Sequence, residues 1–576
     1  FRYLPEIMPR SPNRFRDLAG IPIFLLAALG VLLIFPFIFS LAPPVSWDAQ
    51  VYHLLIPQTY LQNHGFHYMP LNVYANMPHN MDNLFLGVML LSDDSGARLL
   101  HFTISVLLCL SLYAFSRRHF NPEAGIIASL LFVCHPMIYY EMGVAFIDVG
   151  LGFFLFWIVA GIVDYGGSKK RGYIYIGAIL AAMCAGSKYT MFFADTAAFL
   201  MLLLLPLIAR QGIRESDSNK ELIQCSGKYR EYVKASLLYA GVCFVFTLPW
   251  FFKNLIYTGN PLFPMFYELL GGRFWSEQQN AWLLDWQRNI GMGRSFADYL
   301  LLPVRVFFES SLEKGYGGFA GTLYPFPLIF APFSLLALKN RKIIHVFLIF
   351  FGLFFIMWAW GAQQVRFLIP ALPLLALCSG VGVSYLKNRS PRWIYYVSLV
   401  VVLLAPVLLV KNHIAPEIQR DGIPSSVILG KQSRREFLRP RVRSYGCFQY
   451  IDQVCNPGEE VLFLFENKGY YCPRPFYADA MFEASHFMNL ALESETPGKF
   501  AERMSEYNCR YVVVDELIRK SMREADLYAR PENKKALSKS LDIVESFMES
   551  HLTKEYENNF SSVYRFDKVF ERLSTE

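Results

Sequence analysis

The chain has 576 residues, of which 54% are hydrophobic, 16% aromatic and 18% charged. This composition excludes an ordinary soluble enzyme and indicates a polytopic membrane protein, because the apolar runs approach the ~20 residues that a helix needs to cross a bilayer. The net charge of +7 does not indicate nucleic-acid binding, since the basic residues form no stripe with interleaved aromatics.

The apolar runs predict an all-α bundle of about eleven spanning helices, because only helices satisfy their own backbone polar groups inside lipid. A leader at residues 1–20 precedes the first of them. The run at 125–140 is short and interrupted by His135 and Pro136, which predicts a tilted or re-entrant segment. The predicted spans are 21–42, 97–115, 125–140, 145–163, 173–187, 191–208, 235–252, 319–338, 343–360, 367–386 and 393–410.

The distribution of Lys and Arg predicts the orientation in the membrane. With the N-terminus in the cytoplasm, the basic clusters all fall in inner loops, as the positive-inside rule requires. An odd number of spans then carries the segment after Val410 to the outside. We therefore expect a multi-pass protein of the cell (inner) membrane, with outer loops at 43–96 and 254–318.

Residues 411–576 differ in composition from the membrane domain at 21–410 and predict a small soluble α/β domain outside the membrane. Short strand-like runs at 461–465 and 511–514 alternate with helical stretches such as 499–507. Four cysteines in this segment are compatible with one or two disulfides or with buried free thiols. In the outer loop at 254–318, tryptophans predict interfacial anchoring or the lining of a lipid groove.

Asp48 is the most informative acidic residue, because it follows the first span in an outer loop that has no Lys or Arg before Arg98. One interpretation is a helix cap. The other is a catalytic base at the membrane boundary, with His53 beside it as a substrate-binding group or proton carrier. His79 is a further proton-carrier or metal-ligand candidate, although ordinary hydrogen bonding is favoured for both histidines.

Glu141 and Asp148 flank the outer junction between two predicted spans. Ionisable groups at that depth are costly in lipid and usually face a cavity or a charged partner. A helix cap, or pairing with a neighbouring Lys, is the structural alternative. As functional groups they would line the substrate cavity or bind a divalent cation.

Lys188 and Arg366 are cations at the predicted outer ends of two other spans. For Lys188, an ion pair with Asp195 or Asp148 and a contact to a substrate phosphate are both open. Arg366 either extends to the lipid headgroups or binds a phosphate. No phosphate-binding glycine loop, serine nucleophile elbow or zinc signature is present in the sequence.

The membrane portion resembles the GT-C membrane glycosyltransferases, and within them the branch of the protein O-mannosyltransferases and the lipid A aminoarabinose transferase. The resemblance depends on the Trp47-Asp48 and Tyr52-His53 pairs, on Glu141 with Asp148, and on looser patterns. These are Gly186 to Thr190, Asn254 to Pro264, and Arg366 to Pro373. Ala49 follows Asp48 where protein mannosyltransferases often have a second acid, which argues against a protein acceptor.

The resemblance implies transfer of a sugar from a polyprenyl-phosphate donor to a glycan, lipid or protein acceptor at the outer face of the membrane. Asp48 would be the catalytic acid/base, and Lys188 and Arg366 would hold the leaving phosphate. Alternatives are a surface-glycan polymerase or ligase, a transporter or flippase of a lipid-linked substrate, and a non-catalytic assembly subunit. Membrane lipids are the other expected partners, and nucleic acid is not.

Overall fold

The computed structural model describes residues 22–210, 218–310, 319, 321–337, 341–525 and 527–566. The predicted leader at 1–20 lies outside these residues. Within them, the chain forms two compact units that each draw on several stretches of sequence. The helical unit contains the chain up to Leu41, Arg98–Leu248 and Met292–Pro424. The mixed unit contains Ala42–Ala97, Pro249–Gly291 and the chain from Ser425 onward.

Among the described residues, eight helices are long and apolar enough to cross a membrane, which confirms the predicted helical membrane bundle. The eight spans are Ile23–Ser40, Asp94–His119, Asp148–Ser168, Tyr189–Ile208, Tyr229–Thr258, Arg341–Trp360, Val365–Lys387 and Arg392–Ile414. In four of them the helix bounds differ from the bounds of the span. Their helices are Phe192–Arg210, Ser218–Thr258, Leu372–Arg389 and Arg392–Leu409, with a 3-10 helix at Val365–Ala371.

The remaining three predicted spans depart from regular single helices. The segment interrupted by His135 and Pro136 forms two helices, Pro122–Val133 and Pro136–Met142, bent by 88° at the predicted break. Proline at the start of the second helix cannot continue the hydrogen-bond ladder of the first. The other two segments form the shorter apolar helices Gly172–Ala185 and Phe326–Leu336. Both are apolar, but at 10–17 residues each is shorter than the ~20 residues that a straight helix needs to cross a bilayer.

Small residues let the helices of this unit approach closely. A Cβ added to Gly380 would lie 2.1 Å from the carbonyl oxygen of Ala124, so the helices Leu372–Arg389 and Pro122–Val133 touch backbone to backbone. A Cβ on Gly125 would lie 2.6 Å from Cα of Tyr113. Any larger side chain at either glycine would therefore force the helices apart.

The mixed unit contains a five-stranded sheet in the order β2-β1-β3-β5-β4. β1 pairs in parallel with β2 and β3, whereas β3 with β5 and β5 with β4 are antiparallel. Every residue of β1 and β3 is buried, as expected for central strands covered on both faces. The strands are β1 Val461–Leu464, β2 Phe476–Tyr477, β3 Tyr511–Asp515, β4 Leu552–Glu557 and β5 Ser561–Phe566. The predicted α/β character of this segment is thus confirmed.

Helices and outer-loop segments complete the mixed unit. The longest helix, Pro531–His551, packs on the sheet side that carries Val512 and Val514. Trp282 is fully buried in the same core and stacks on Tyr528, with ring centroids 6.0 Å apart. That tryptophan is therefore a core residue, which neither interpretation of the outer-loop tryptophans anticipated. The other helices are Leu55–Gln62, Asn80–Met89, Tyr267–Leu270, Glu277–Asn289, Ser425–Ile428, Arg434–Leu438, Tyr445–Val454, His486–Ser494, Pro497–Ser505 and Glu516–Ser521.

The helical unit also contains shorter helical elements between its spans and after the last one. Phe296–Phe308 follows a capping box at Ser295, and Ala415–Asp421 follows the last span after a π-helical turn at Val410–Ile414. The mixed unit has two such short elements in the first outer loop, a π-helix at Ala49–His53 and a 3-10 helix at Val73–Asn76. The first of these carries the candidate base.

Candidate active site

Asp48 stands at the start of the π-helix Ala49–His53 and is buried, with 6% of its surface exposed. Its side chain makes no capping hydrogen bond to this helix. Instead, the Tyr52 hydroxyl donates to Asp48 Oδ2. The capping interpretation therefore does not describe the carboxylate, and a hydroxyl group fixes its orientation.

The tyrosine that holds Asp48 belongs to a cluster of three aromatic rings. Tyr52 stacks on Tyr74 with ring centroids 4.3 Å apart, and Trp47 meets both rings edge-on at 6.3 and 6.4 Å. Asp48 itself is 6% exposed, so little bulk water reaches it. A carboxylate in such a place gains strength as a hydrogen-bond acceptor, because the effective dielectric is lower than in water.

His53, the residue after Tyr52 in the π-helix, belongs to a second cluster of polar side chains. His53 Nδ1 is 2.7 Å from Asp82 Oδ1, and His79 Nδ1 is 2.7 Å from Asp82 Oδ2. The three side chains are each at most 3% exposed. Asp82 thus holds both histidines that the sequence suggested, and it was not itself singled out. The spacing His79-x-x-Asp82 at the start of a helix is the signal that could have revealed it.

The hydrogen bonds of His79 involve both ring nitrogens. Its Nε2 lies 2.8 Å from the Tyr74 carbonyl oxygen, to which it donates. Burial, together with nearby Lys253, lowers the pKa of His79 to about 3. Asp82 therefore bridges the two histidines, with one carboxyl oxygen on each ring.

Residues of the C-terminal segment reach the Asp48 loop directly. The Trp47 indole N–H donates to Asn467 Oδ1 at 3.0 Å, and the Tyr470 amide donates to the Gln50 carbonyl oxygen at 3.2 Å. The Tyr471 hydroxyl donates to the Pro44 carbonyl oxygen at 2.8 Å. These partners belong to the loop after β1, where the parallel strands end. The sequence offered no signal for them, because more than 400 residues separate the two sides of each contact.

The loop after β1 is itself held by a buried carboxylate. Glu466 Oε1 accepts from the backbone amides of Asn467 and Lys468 at 2.9 and 3.0 Å, and the Ser444 hydroxyl donates to its Oε2. Glu466 is 1% exposed. Asn467 therefore meets Trp47 from a rigid loop.

Four of the predicted site residues come together in the helical unit. Lys188 Nζ is 2.5 Å from Asp148 Oδ1, and Arg366 Nε is 2.7 Å from Asp148 Oδ2. Glu141 Oε1 lies 3.6 Å from Arg366 Nε. The ion pair of Lys188 with Asp148, one of the open alternatives, is therefore present. The alternative partner Asp195 instead accepts from the Cys243 thiol at 3.6 Å.

This four-residue ion cluster is buried on its acidic side. The Asp148 and Glu141 side chains are fully buried, whereas those of Lys188 and Arg366 are 18% and 10% exposed. Aromatic faces cover both cations, since Lys188 lies 4.4 Å from the Phe367 ring centroid and Arg366 lies 4.5 Å from that of Phe146. Asp148 begins its helix, where the helix dipole also stabilises a carboxylate.

A histidine outside the predicted set fixes the backbone around the ion cluster. His101 Nε2 accepts from the Gly150 amide at 3.2 Å, so its Nδ1 carries the proton and donates to the carbonyl oxygens of Glu141 and Val144. The single ring thus ties the end of one short helix to the start of the next span. It holds Glu141 and Asp148 in register.

The cluster does not suit the predicted divalent cation. Its carboxylates already face Lys188 and Arg366, and a hard cation needs several oxygen ligands free of such competition. No group of three or more His, Cys, Asp or Glu side chains arranged for a metal ion occurs in the part of the chain that the structure describes.

Comparison with known proteins identifies one matching family model and several solved structures with a similar fold. Residues 90–373 match the model of a domain of unknown function (DUF8201). No curated protein sequence matches the chain. The crystal structure of ArnT from Cupriavidus metallidurans bound to undecaprenyl phosphate is similar, with 16% identity and a TM-score of 0.55 over 95% of this chain and 98% of that chain.

A second similar structure is an oligosaccharyltransferase from Archaeoglobus fulgidus, solved in complex with Zn and sulfate. It has 13% identity and a TM-score of 0.51, over 94% of this chain and 73% of that chain. Identities this low establish the shared fold and leave the reaction to be argued from the residues. The fold expected from the resemblance is found at that level: this chain shares its fold with ArnT and with the archaeal oligosaccharyltransferase.

Proposed function

We propose that this protein is an integral-membrane glycosyltransferase. It transfers a sugar from a polyprenyl-phosphate-linked donor to an acceptor at the outer face of the membrane. The fold shared with ArnT, which was solved with undecaprenyl phosphate, supports the donor class. The observation that carries the proposal is the buried Asp48 carboxylate, which is oriented by the hydroxyl of Tyr52.

In the proposed reaction Asp48 is the general base. It takes the proton of the acceptor hydroxyl as that oxygen attacks the anomeric carbon of the sugar. The bond between this carbon and the phosphate oxygen breaks, and the polyprenyl phosphate leaves with the negative charge. The Tyr52 hydroxyl keeps one carboxylate oxygen of Asp48 fixed, which holds the side chain in one orientation.

Lys188 and Arg366 are proposed to bind the leaving phosphate. Their side chains are 18% and 10% exposed whereas that of Asp148 is fully buried, so the cations are the part of the cluster that a ligand can reach. In this proposal Asp148 and Glu141 position the cations, and His53 binds the substrate. A phosphate held by pre-oriented cations in a water-poor place gains charge stabilisation without further reorganisation.

The C-terminal segment is proposed to belong to the catalytic machinery. The Asp48 loop and the loop after β1 lie in the same compact unit and share several hydrogen bonds. A mobile appendage would not be joined to the base-bearing loop in this way. We propose that the loop after β1 shapes the place where the acceptor binds.

The decisive experiment is the Asp48→Asn variant, which keeps the side-chain shape and removes the basic oxygen. Purified protein in liposomes is supplied with undecaprenyl-phosphate sugars, and transfer to endogenous acceptor extracts is measured. We expect transfer to fall about 10²- to 10⁴-fold, the usual contribution of a general base. The matched control is Asp93→Asn, because Asp93 is an exposed carboxylate of the same outer segment. Transfer near the normal level in Asp48→Asn would favour an assembly subunit or a transporter instead.

The proposed orientation has its own experiment. Lys535→Cys places a thiol on the exposed side of the longest helix of the C-terminal segment, and Arg171→Cys places one in the loop between two helices of the other unit. An impermeant thiol reagent added to intact cells should label the first and spare the second. The reverse labelling would place the C-terminal segment in the cytoplasm.

A further inference from the structure

The helical unit contains a cavity at the end of the Asp148–Ser168 helix that lies away from the ion cluster. Asp148 begins this helix and Gly166 to Ser168 finish it, so about 30 Å of helix separates the two at 1.5 Å per residue. The cavity has a volume of about 530 Å³. Ligand pockets of proteins commonly measure ~300–1,000 Å³. Space for a headgroup-sized ligand is therefore present.

The polar part of the lining has an excess of positive charge. Arg118 and Lys342 line the cavity from two different spans, with Asp164 as the carboxylate between the helices. Arg118 Nη1 lies 3.2 Å from Asp164 Oδ2, and His119 Nε2 lies 3.9 Å from Asp164 Oδ1. Asp164 is thus shared by two partners. Lys342 adds positive charge from the opposite wall.

A third cation flanks the same cavity. Lys169 donates to the carbonyl oxygen of Gly166 at 3.0 Å and lies 3.9 Å from the ring centroid of Tyr232. Gly166 and Tyr232 both line the cavity. Lys169 has a left-handed backbone conformation with φ of 58°, and it ends the helix there. Its ammonium group is thereby held close to the polar lining.

The rest of the lining is apolar and belongs to the membrane-spanning parts of the helices. Leu205, Ile208, Ile343 and Val346 form this wall. The cavity therefore combines a cationic end with an aliphatic wall. Tyrosines such as Tyr173 and Tyr232 in the lining are the residues expected at headgroup depth.

We propose that this cavity binds the headgroup of an anionic glycerophospholipid, with the lipid phosphate at Arg118 and Lys342 and the first part of an acyl chain along the aliphatic wall. Basic pockets between membrane helices are known binding places for anionic lipid headgroups. The proposal is independent of the proposed sugar transfer. In the predicted topology this end of the bundle faces the cytoplasmic leaflet, and the ion cluster lies at the other end of the same helix.

Topology alone does not account for the arrangement. Positive charges that only orient a membrane protein need to lie in the correct loops, and they need not meet. Arg118 and Lys342 are far apart in sequence and nevertheless line one cavity. A lipid bound there would couple the spans Asp94–His119 and Arg341–Trp360 and stabilise the bundle.

The test uses the full-length protein in mild detergent and native mass spectrometry with added lipids. We expect phosphatidylglycerol to bind more tightly than phosphatidylcholine, and millimolar inorganic phosphate not to displace it. Lys342→Gln should weaken phosphatidylglycerol binding about fivefold, as expected for one cation near a lipid surface. Arg389→Gln is the matched control, because Arg389 is an exposed cation at the end of a neighbouring span and does not line the cavity.

A second variant tests the cavity without changing its charge. Ser168 is an exposed lining residue at the helix end, so Ser168→Trp should fill the mouth and leave the fold intact. We expect it to abolish phosphatidylglycerol binding while the melting temperature without lipid stays normal. Equal binding of both lipids, equal effects of Lys342→Gln and Arg389→Gln, or displacement by inorganic phosphate would each overturn the proposal.

Discussion

The indole N–H of Trp47 donates to the side-chain oxygen of Asn467 at 3.0 Å, across 420 residues of sequence. One partner precedes the candidate base, and the other follows the central strand of the C-terminal sheet. Asn467 is 2% exposed, so this bond is made away from water. A buried hydrogen bond of this kind fixes geometry, because breaking it leaves a polar group without compensation.

Asn467→Ala should therefore impair transfer more than it impairs folding. The Trp47 indole would lose its acceptor, at a cost of about 1–3 kcal/mol, and the neighbouring Asp48 would lose its fixed position. We expect kcat to fall about tenfold with little change in KM for the donor, as for a group that acts on geometry. Steady-state kinetics in liposomes measure both constants.

The control for this variant is Asn456→Ala, which removes an exposed asparagine side chain bonded to Glu459 in the same domain. It should leave kcat unchanged. A normal kcat in Asn467→Ala, or an equal loss in both variants, would show that the contact between Trp47 and Asn467 does not position the base.

Asp148 should be indispensable to stability. Asp148→Asn would leave Lys188 and Arg366 buried beside a neutral amide, and an uncompensated buried charge typically costs about 3–5 kcal/mol. We expect a large fall in the melting temperature in detergent. The double variant Asp148→Asn with Lys188→Met should recover part of the lost stability, because it removes one of the two buried cations that no longer face Asp148.

Asp164→Asn is the matched control for Asp148. Its partner Arg118 is 41% exposed, so the pair is solvent-screened and should contribute at most about 1 kcal/mol. If the two variants had the same melting temperature, the ion cluster would not contribute more to stability than an exposed ion pair does.

Local features of the fold were predictable from the sequence. Apolar length and helix-breaking residues act over a few turns, so eight of the spans and the break at His135 and Pro136 were correctly predicted. Two further predicted spans, the helices Gly172–Ala185 and Phe326–Leu336, are apolar but shorter than the other spans. Composition over a window detects apolar character better than it detects where the helix ends.

The partners within the site were less predictable. The sequence placed Asp148, Lys188 and Arg366 near helix ends, but Arg366 is 218 residues from Asp148, and only tertiary packing decides such pairs. For Lys188 the sequence left Asp148 and Asp195 open, and packing selected the first. Asn467 carries no local signal, because an asparagine after a strand is an ordinary loop residue.

The two hydrogen bonds of Asp82 give a prediction opposite to that for Asp48. An asparagine at position 82 keeps one oxygen and gains one amide group, so it can still bond to both histidine rings. We therefore expect Asp82→Asn to keep a near-normal melting temperature and substantial transfer. Asp82→Leu removes both hydrogen bonds and should cost about 1–3 kcal/mol for each buried group left without a partner.

Thermal unfolding and the transfer assay, applied to both variants, check this contrast. The same Asp→Asn change at position 48 is expected to leave the protein folded and inactive. Should Asp82→Asn be as destabilising as Asp82→Leu, the negative charge of the carboxylate, and not its two hydrogen bonds, would be what holds the histidines.

The cysteines of the C-terminal segment should be unreactive thiols. Cys447, Cys455, Cys472 and Cys509 are all free in the structure, which decides between the two alternatives left open by the sequence. Burial raises the pKa of Cys455 to about 11 and those of Cys472 and Cys509 to about 12. Since only the thiolate reacts, alkylation at pH 8 should be negligible in the native protein.

Iodoacetamide labelling followed by mass spectrometry measures this directly. We expect none of these four cysteines to be labelled at pH 8 in the folded protein, and all four after unfolding without any reducing agent. The pH dependence has a definite sign: raised pKa values shift the onset of labelling upward from the ordinary thiol range, so reaction should begin only at strongly alkaline pH. A requirement for reductant after unfolding would reveal a disulfide, and rapid native labelling would show that a thiol is exposed.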